Sequence, residues 1–172
     1  MRSPSPSAPA APDARPPAHR RPQLLPFTAI GVLCITAGGL LAAATASAPS
    51  EHTTWAAAYL VLVGGIAQVG LGFGQATFTA GTSTPVLASQ VAGWNLGNAA
   101  VLAGTLRGST AVVDLGGALL VVTLGLLARG LSPTGVRPVG GAGRWCLYGY
   151  RVLMVILFVS IPVGLVLAQI RH

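Results

Sequence analysis

Apolar residues along this 172-residue chain fall into five long blocks separated by short polar breaks. The blocks cover residues 25–46, 55–78, 86–106, 111–131 and 146–170. Each reaches the roughly 20 residues that a helix needs to cross a bilayer core. No strand-like alternation of polar and apolar positions runs through them. Backbone amides inside lipid must pair within their own segment or around a closed barrel, so the blocks predict helices. The expected fold is an all-α integral membrane protein, a bundle of about five transmembrane helices. Residues 1–23, MRSPSPSAPAAPDARPPAHRRPQ, have almost nothing to bury. They predict a disordered, basic, Pro/Ala-rich tail ahead of a transmembrane domain at 24–172.

Composition sharpens this picture. Hydrophobic residues make up 52% of the chain and charged residues only 8%, with no lysine. A soluble domain carries about a quarter charged residues, so this chain cannot cover a water-facing surface. The net charge of +7 does not point to nucleic acid. The arginines flank apolar blocks and form no stripe with aromatic stacking partners. They read instead as topology signals. With the N-terminus cytoplasmic, seven arginines (2, 15, 20, 21, 129, 137 and 144) lie inside, and Arg107 and Arg171 lie outside. The Ala-, Gly- and Arg-rich usage suggests a bacterial source, hence the cytoplasmic (inner) membrane. Trp55 and Tyr59 then suit an outer aromatic belt, and Trp145, Tyr148 and Tyr150 an inner one. The first block is longer than a signal-peptide core of about 7–15 residues. Pro49 follows the small-residue stretch at 46–48, so the block is expected to remain as an uncleaved span.

The second block contains GGIAQVGLGFGQ, residues 64–75. On a helical wheel Gly64, Gly65, Gln68, Gly72 and Gln75 share one side, and Gly70 and Gly74 mark another. Small residues on two sides predict close approach by neighbouring helices from both. In the third block Gln90, Trp94, Asn98 and Thr105 line up, with Asn95 adjacent and Gly93 and Gly97 forming a GxxxG. Gln68, Asn95 and Asn98 fall near mid-span. They are expected to hydrogen-bond one another or a small polar solute. Trp94 lies too deep for a belt residue, so its indole N–H needs a partner. No acid or histidine lies at mid-span, which disfavours a buried proton relay. No nucleophile–base pair, carboxylate pair or metal-ligand spacing is present. Neither an enzyme nor a metal or other cofactor is therefore expected. Cys34 and Cys146 read as small apolar fillers.

The GGIAQVGLG stretch resembles the GGxAQxxAG signature of the acetate uptake transporter (succinate–acetate permease-like) family. Gly64, Gly65, Ala67, Gln68 and Gly72 match it, and Leu71 departs from it. Gly81 and Gly93 follow at the family's spacing, and PQLLPFTAIG loosely echoes its approach to the first span. The resemblance covers residues 26–106. Gln75 stands where the family has an acid, Ala92 where it has Tyr, and Asn95–Leu96 where it has Phe-Trp. The family has six spans against five here. The resemblance implies oligomeric channels or permeases for acetate and other short carboxylates, each protomer enclosing its own path. Gln68, Gln75, Trp94, Asn95 and Asn98 are then the expected path residues. The glycines at 64, 65, 70, 72, 74, 93 and 97 serve helix packing. The expected partners are the lipid bilayer, further copies of the chain and a small polar solute. The alternative is a non-transporting membrane subunit or scaffold whose polar faces serve only assembly.

Overall fold

A computed structural model describes residues 21–79, 82–132, 135–136 and 140–170. The greater part of the expected tail lies outside the described residues. Among the described residues five helices follow in order: α1 (Arg21–Ala44), α2 (Glu51–Phe78), α3 (Thr84–Arg107), α4 (Thr110–Arg129) and α5 (Gly141–Ile170). Four of them, α1, α2, α4 and α5, are long and apolar enough to cross a membrane. The fifth expected span, α3, is 24 residues long, which gives about 36 Å of helix. It falls short in composition, because Gln90, Asn95 and Asn98 interrupt its apolar run. Gln90 and Asn98 are buried and Asn95 is half-buried, so its polar side faces protein.

Local chemistry marks the helix ends. Ser50 caps α2 by accepting from the Thr53 N–H, and the Thr53 hydroxyl receives the Ser50 N–H, each at 3.1 Å. Gly108 closes α3 at φ 67°, a left-handed conformation that favours a residue without Cβ. The Ser109 N–H then returns to the Gly104 carbonyl at 2.8 Å, and α4 begins at once.

Helices α1 and α2 form one antiparallel hairpin, and α3 and α4 form a second. Both are closed by backbone contact at glycine. A Cβ on Gly31 would lie 3.1 Å from the Gly65 carbonyl oxygen, and a Cβ on Gly65 would lie 3.1 Å from that of Gly31. In the second hairpin Gly97 and Gly116 meet in the same reciprocal way, at 3.1 and 2.8 Å. Further along, Gly38 faces the Ala57 carbonyl and Gly104 the Ser109 carbonyl. In the other direction Gly72 meets Phe27, and Gly93 meets Thr123. The crossing points 27, 31 and 38 on α1 therefore have the spacing of 93, 97 and 104 on α3. The points 65 and 72 on α2 have the spacing of 116 and 123 on α4. One packing unit is used twice.

The two units differ by a single residue. Eight positions separate Ala57 from Gly65, whereas seven separate Ser109 from Gly116. The extra residue is absorbed in α2 as a widened, π-helical stretch, Leu60–Ala67. Such an insertion keeps both flanking segments helical while changing the phase between them.

Helix α5 holds the two hairpins together. It packs on α4 and reaches α2, where Leu153 covers Gly70 and the Tyr150 ring lies on Gly74. Direct contact between α2 and α3 is about as extensive as that between α2 and α5, and both are far smaller than the contact within either hairpin. The core where these elements converge contains Phe27, Leu71, Phe78, Trp94, Leu120, Leu124, Leu127, Tyr150 and Met154.

Candidate functional site

Between α2, α3, α4 and α5 a cavity of about 670 Å³ opens at the end of the bundle that carries the α3–α4 turn. Trp55, Tyr59 and Val63 of α2 line it, with Trp94, Val101 and Thr105 of α3. Across from them stand Val113, Gly117 and Leu120 of α4 and Leu157, Ser160 and Ile161 of α5. On α3 the lining runs from Gly108 back to Trp94, about 20 Å at the helical rise. On each of the four helices it ends close to mid-length. Trp94, Leu120, Val63 and Leu157 form the floor, and Trp94 is fully buried.

Beyond the floor the bundle is filled. Leu71, Leu124, Leu127, Phe78 and Tyr150 are buried there, with Phe78 and Tyr150 stacked at 5.9 Å. Amides lie among these apolar side chains. Gln75 donates through Nε2 to the Leu127 carbonyl at 3.0 Å and to the Tyr150 hydroxyl at 3.4 Å. It thus ties α2 to both α4 and α5. Gln90 donates to the Leu126 carbonyl at 3.3 Å. Gln68 is fully buried and neither of its amide atoms has a partner. The Oε1 atoms of Gln75 and Gln90, the Trp94 Nε1 and the Thr28 Oγ1 are likewise buried without partners. Each of these orphaned atoms lies at the cavity floor or beyond it.

The expected mid-span amide cluster is not formed. Asn95 donates to the Val91 carbonyl of its own helix at 2.8 Å, which turns its amide away from the others. The Asn98 Nδ2 donates to the Trp94 carbonyl at 2.7 Å, and its Oδ1 accepts from the Tyr59 hydroxyl at 2.7 Å. Gln68 bonds to none of them. Gln68 and Gln75, seven residues apart, form a stripe facing the bundle interior. Gly65 and Gly72 form a neighbouring stripe that seats α1. The single face expected for these positions is therefore two adjacent ones.

Two residues expected in the aromatic belts have hydrogen-bond partners within the bundle. Tyr59 lines the cavity and bridges the two hairpins through Asn98, with its ring stacked on Trp55 at 5.1 Å. Tyr150 is 5% exposed and covers Gly74. Their positions near block ends suggested a belt, and neither carried a sequence signal for the interior. Trp145 and Tyr148, by contrast, are exposed.

The Tyr59–Asn98 bond can be weighed directly. Tyr59→Phe should lower stability by about 0.6–1.5 kcal/mol, the range for one such bond in a membrane or soluble interior. A double-mutant cycle with Asn98→Ala, read by thermal unfolding in detergent, should return a coupling energy of that size. Additive effects would show that the bond contributes nothing.

Compared with known proteins, the chain matches no family model, no curated protein and no solved structure.

Proposed function

We propose that this protein is a multi-pass membrane protein that passes a small solute along a path starting in the cavity and continuing past Gln68 and Gln75. The observation that carries this reading is the set of orphaned buried polar atoms, with Trp94 at the cavity floor and Gln68, Gln75 and Gln90 in the filled half of the bundle. Interhelical amide glue is worth roughly 0.6 kcal/mol per bond. A buried polar group without a partner costs about 1–3 kcal/mol. Gln68 makes no bond, so it contributes no glue and carries only the cost. A leucine there would serve a purely structural core better. An amide is useful at that point if water or a solute passes it.

The doubled hairpin supports the same reading, since many transporters place their substrate site between structural repeats. All five helices then span the bilayer, with α3 shielded from lipid on its amide side. The arginine bias supports a cytoplasmic N-terminus with the cavity mouth outside, and the Ala-, Gly- and Arg-rich composition supports a bacterial source. The signature-like stretch at 64–72 suggests short carboxylates such as acetate as the solute class, passing as the neutral acid. The scaffold alternative draws on Gln75, whose two bonds do join three helices.

Thiol accessibility tests the path. In a chain with Cys34 and Cys146 replaced by alanine, Thr105→Cys should react rapidly with a small uncharged polar thiol reagent added outside. Gln68→Cys should react slowly but to completion, and Leu124→Cys should not react. A Gln68→Cys protein that stays unmodified while Thr105→Cys is fully labelled would remove the path.

A further inference from the structure

Resting on the reading of the cavity as the start of a solute path, we infer that it selects uncharged amphiphiles and excludes anions, the acetate ion included. The first support is the chemistry of the wall. Among the described residues no lysine, arginine, aspartate or glutamate lines it, and His52 at the mouth is its only imidazole. The deep wall is aromatic and aliphatic, whereas the hydroxyls of Thr105, Ser109, Thr110 and Ser160 lie towards the mouth. An anion moved to that depth would lose its hydration without meeting a cation, a penalty of several kcal/mol. The second support is size. A cavity of about 670 Å³ is typical for a drug-sized ligand.

The third support is Trp94. Its side chain is fully buried on the cavity floor, and its Nε1–H has no acceptor. An indole N–H can only donate, so the group that satisfies it must be an acceptor. A neutral alcohol, ester or carbonyl oxygen that displaces a floor side chain to reach it would do so, while its apolar part lies against Val63, Leu120 and Leu157. A carboxylic acid would enter only in its protonated form.

The test is equilibrium binding of tritiated 1-octanol to the purified full chain in detergent, read by scintillation proximity. Saturable binding is expected, displaced by unlabelled 1-octanol but not by octanoate at about pH 8, far above the carboxyl range. Trp94→Phe keeps the ring and removes the donor, and should weaken binding about tenfold. Gly164→Phe should abolish it, since Gly164 lines the cavity and a Cβ there meets nothing within 4 Å. Octanoate competing as well as octanol at that pH would overturn the inference. So would binding that does not saturate, or binding indifferent to Gly164→Phe. Native mass spectrometry of protein purified without added lipid separates the two sources of such a ligand: a retained amphiphile comes from the bilayer, an unoccupied cavity takes its ligand from water. Binding without flux in liposomes would leave this site standing and remove the transport reading. Flux of acetate at neutral pH without octanol binding would do the reverse.

Discussion

Gly116→Ala is expected to destabilise the protein by roughly 1–3 kcal/mol, the usual cost of overpacking. The new methyl would lie 2.8 Å from the Gly97 carbonyl oxygen and 2.8 Å from the Val101 nitrogen. Both are backbone atoms, so no rotamer change relieves the contact and the helices must separate. Separation would loosen the crossings at Gly97 and Gly104 together, because both belong to one register. Gly125, on the same helix, has nothing within 4 Å of its would-be Cβ. Gly125→Ala should therefore be neutral or stabilising, by up to about 1 kcal/mol from helix propensity. Thermal unfolding of the two variants in one detergent gives the comparison. Equal midpoints would mean that the α3–α4 crossing is looser than described.

Gln68→Leu should separate stability from activity. Leucine removes two buried polar atoms that have no partners, so the folded protein should hold or gain stability, by about 1–3 kcal/mol at most. Flux of labelled solute into liposomes should fall to the level of empty vesicles. This pairing is what distinguishes a path from a scaffold. A residue serving assembly loses stability when replaced, and its effect on flux follows from that loss. A variant that is less stable and still passes solute would falsify the path through Gln68. Gln75→Leu offers the contrast. It breaks the bonds to Leu127 and Tyr150 and should lower stability.

Much of the architecture could be read from apolar runs alone. The block boundaries at 55–78, 86–106 and 111–131 fall within a few residues of α2, α3 and α4. Gly108 and Ser109 break the run between α3 and α4, and the turn lies there. Small residues at 64, 65, 70, 72 and 74 announced a helix approached from two sides. Those glycines do meet α1 on one side and α5 on another.

The candidate site was far less legible, for reasons of phase and partnership. A helical wheel assumes one period along the whole segment. In α2 the widened stretch Leu60–Ala67 shifts the residues before it by about 100° relative to an unbroken α-helix. Tyr59 thereby faces Asn98 and the cavity. The doubling of the hairpin was equally hidden. At equivalent crossings the large and small partners change sides: Phe27 lies on Gly72, but Gly93 lies on Thr123. Packing conserves the combined volume at a crossing and is indifferent to which helix supplies it, so the repeat leaves little trace in the letters.

The sequence by itself determined that this chain is helical and that it has helices long and apolar enough to cross a membrane. That follows from local quantities, the length of each apolar run and the scarcity of charge. It also determined which residues were too polar to face lipid. Only the tertiary structure decided what those residues do, because a hydrogen bond between helices depends on relative depth and rotation. It gave Asn98 to Tyr59, Gln75 to Leu127 and Tyr150, and left Gln68 and Trp94 without partners beneath a cavity.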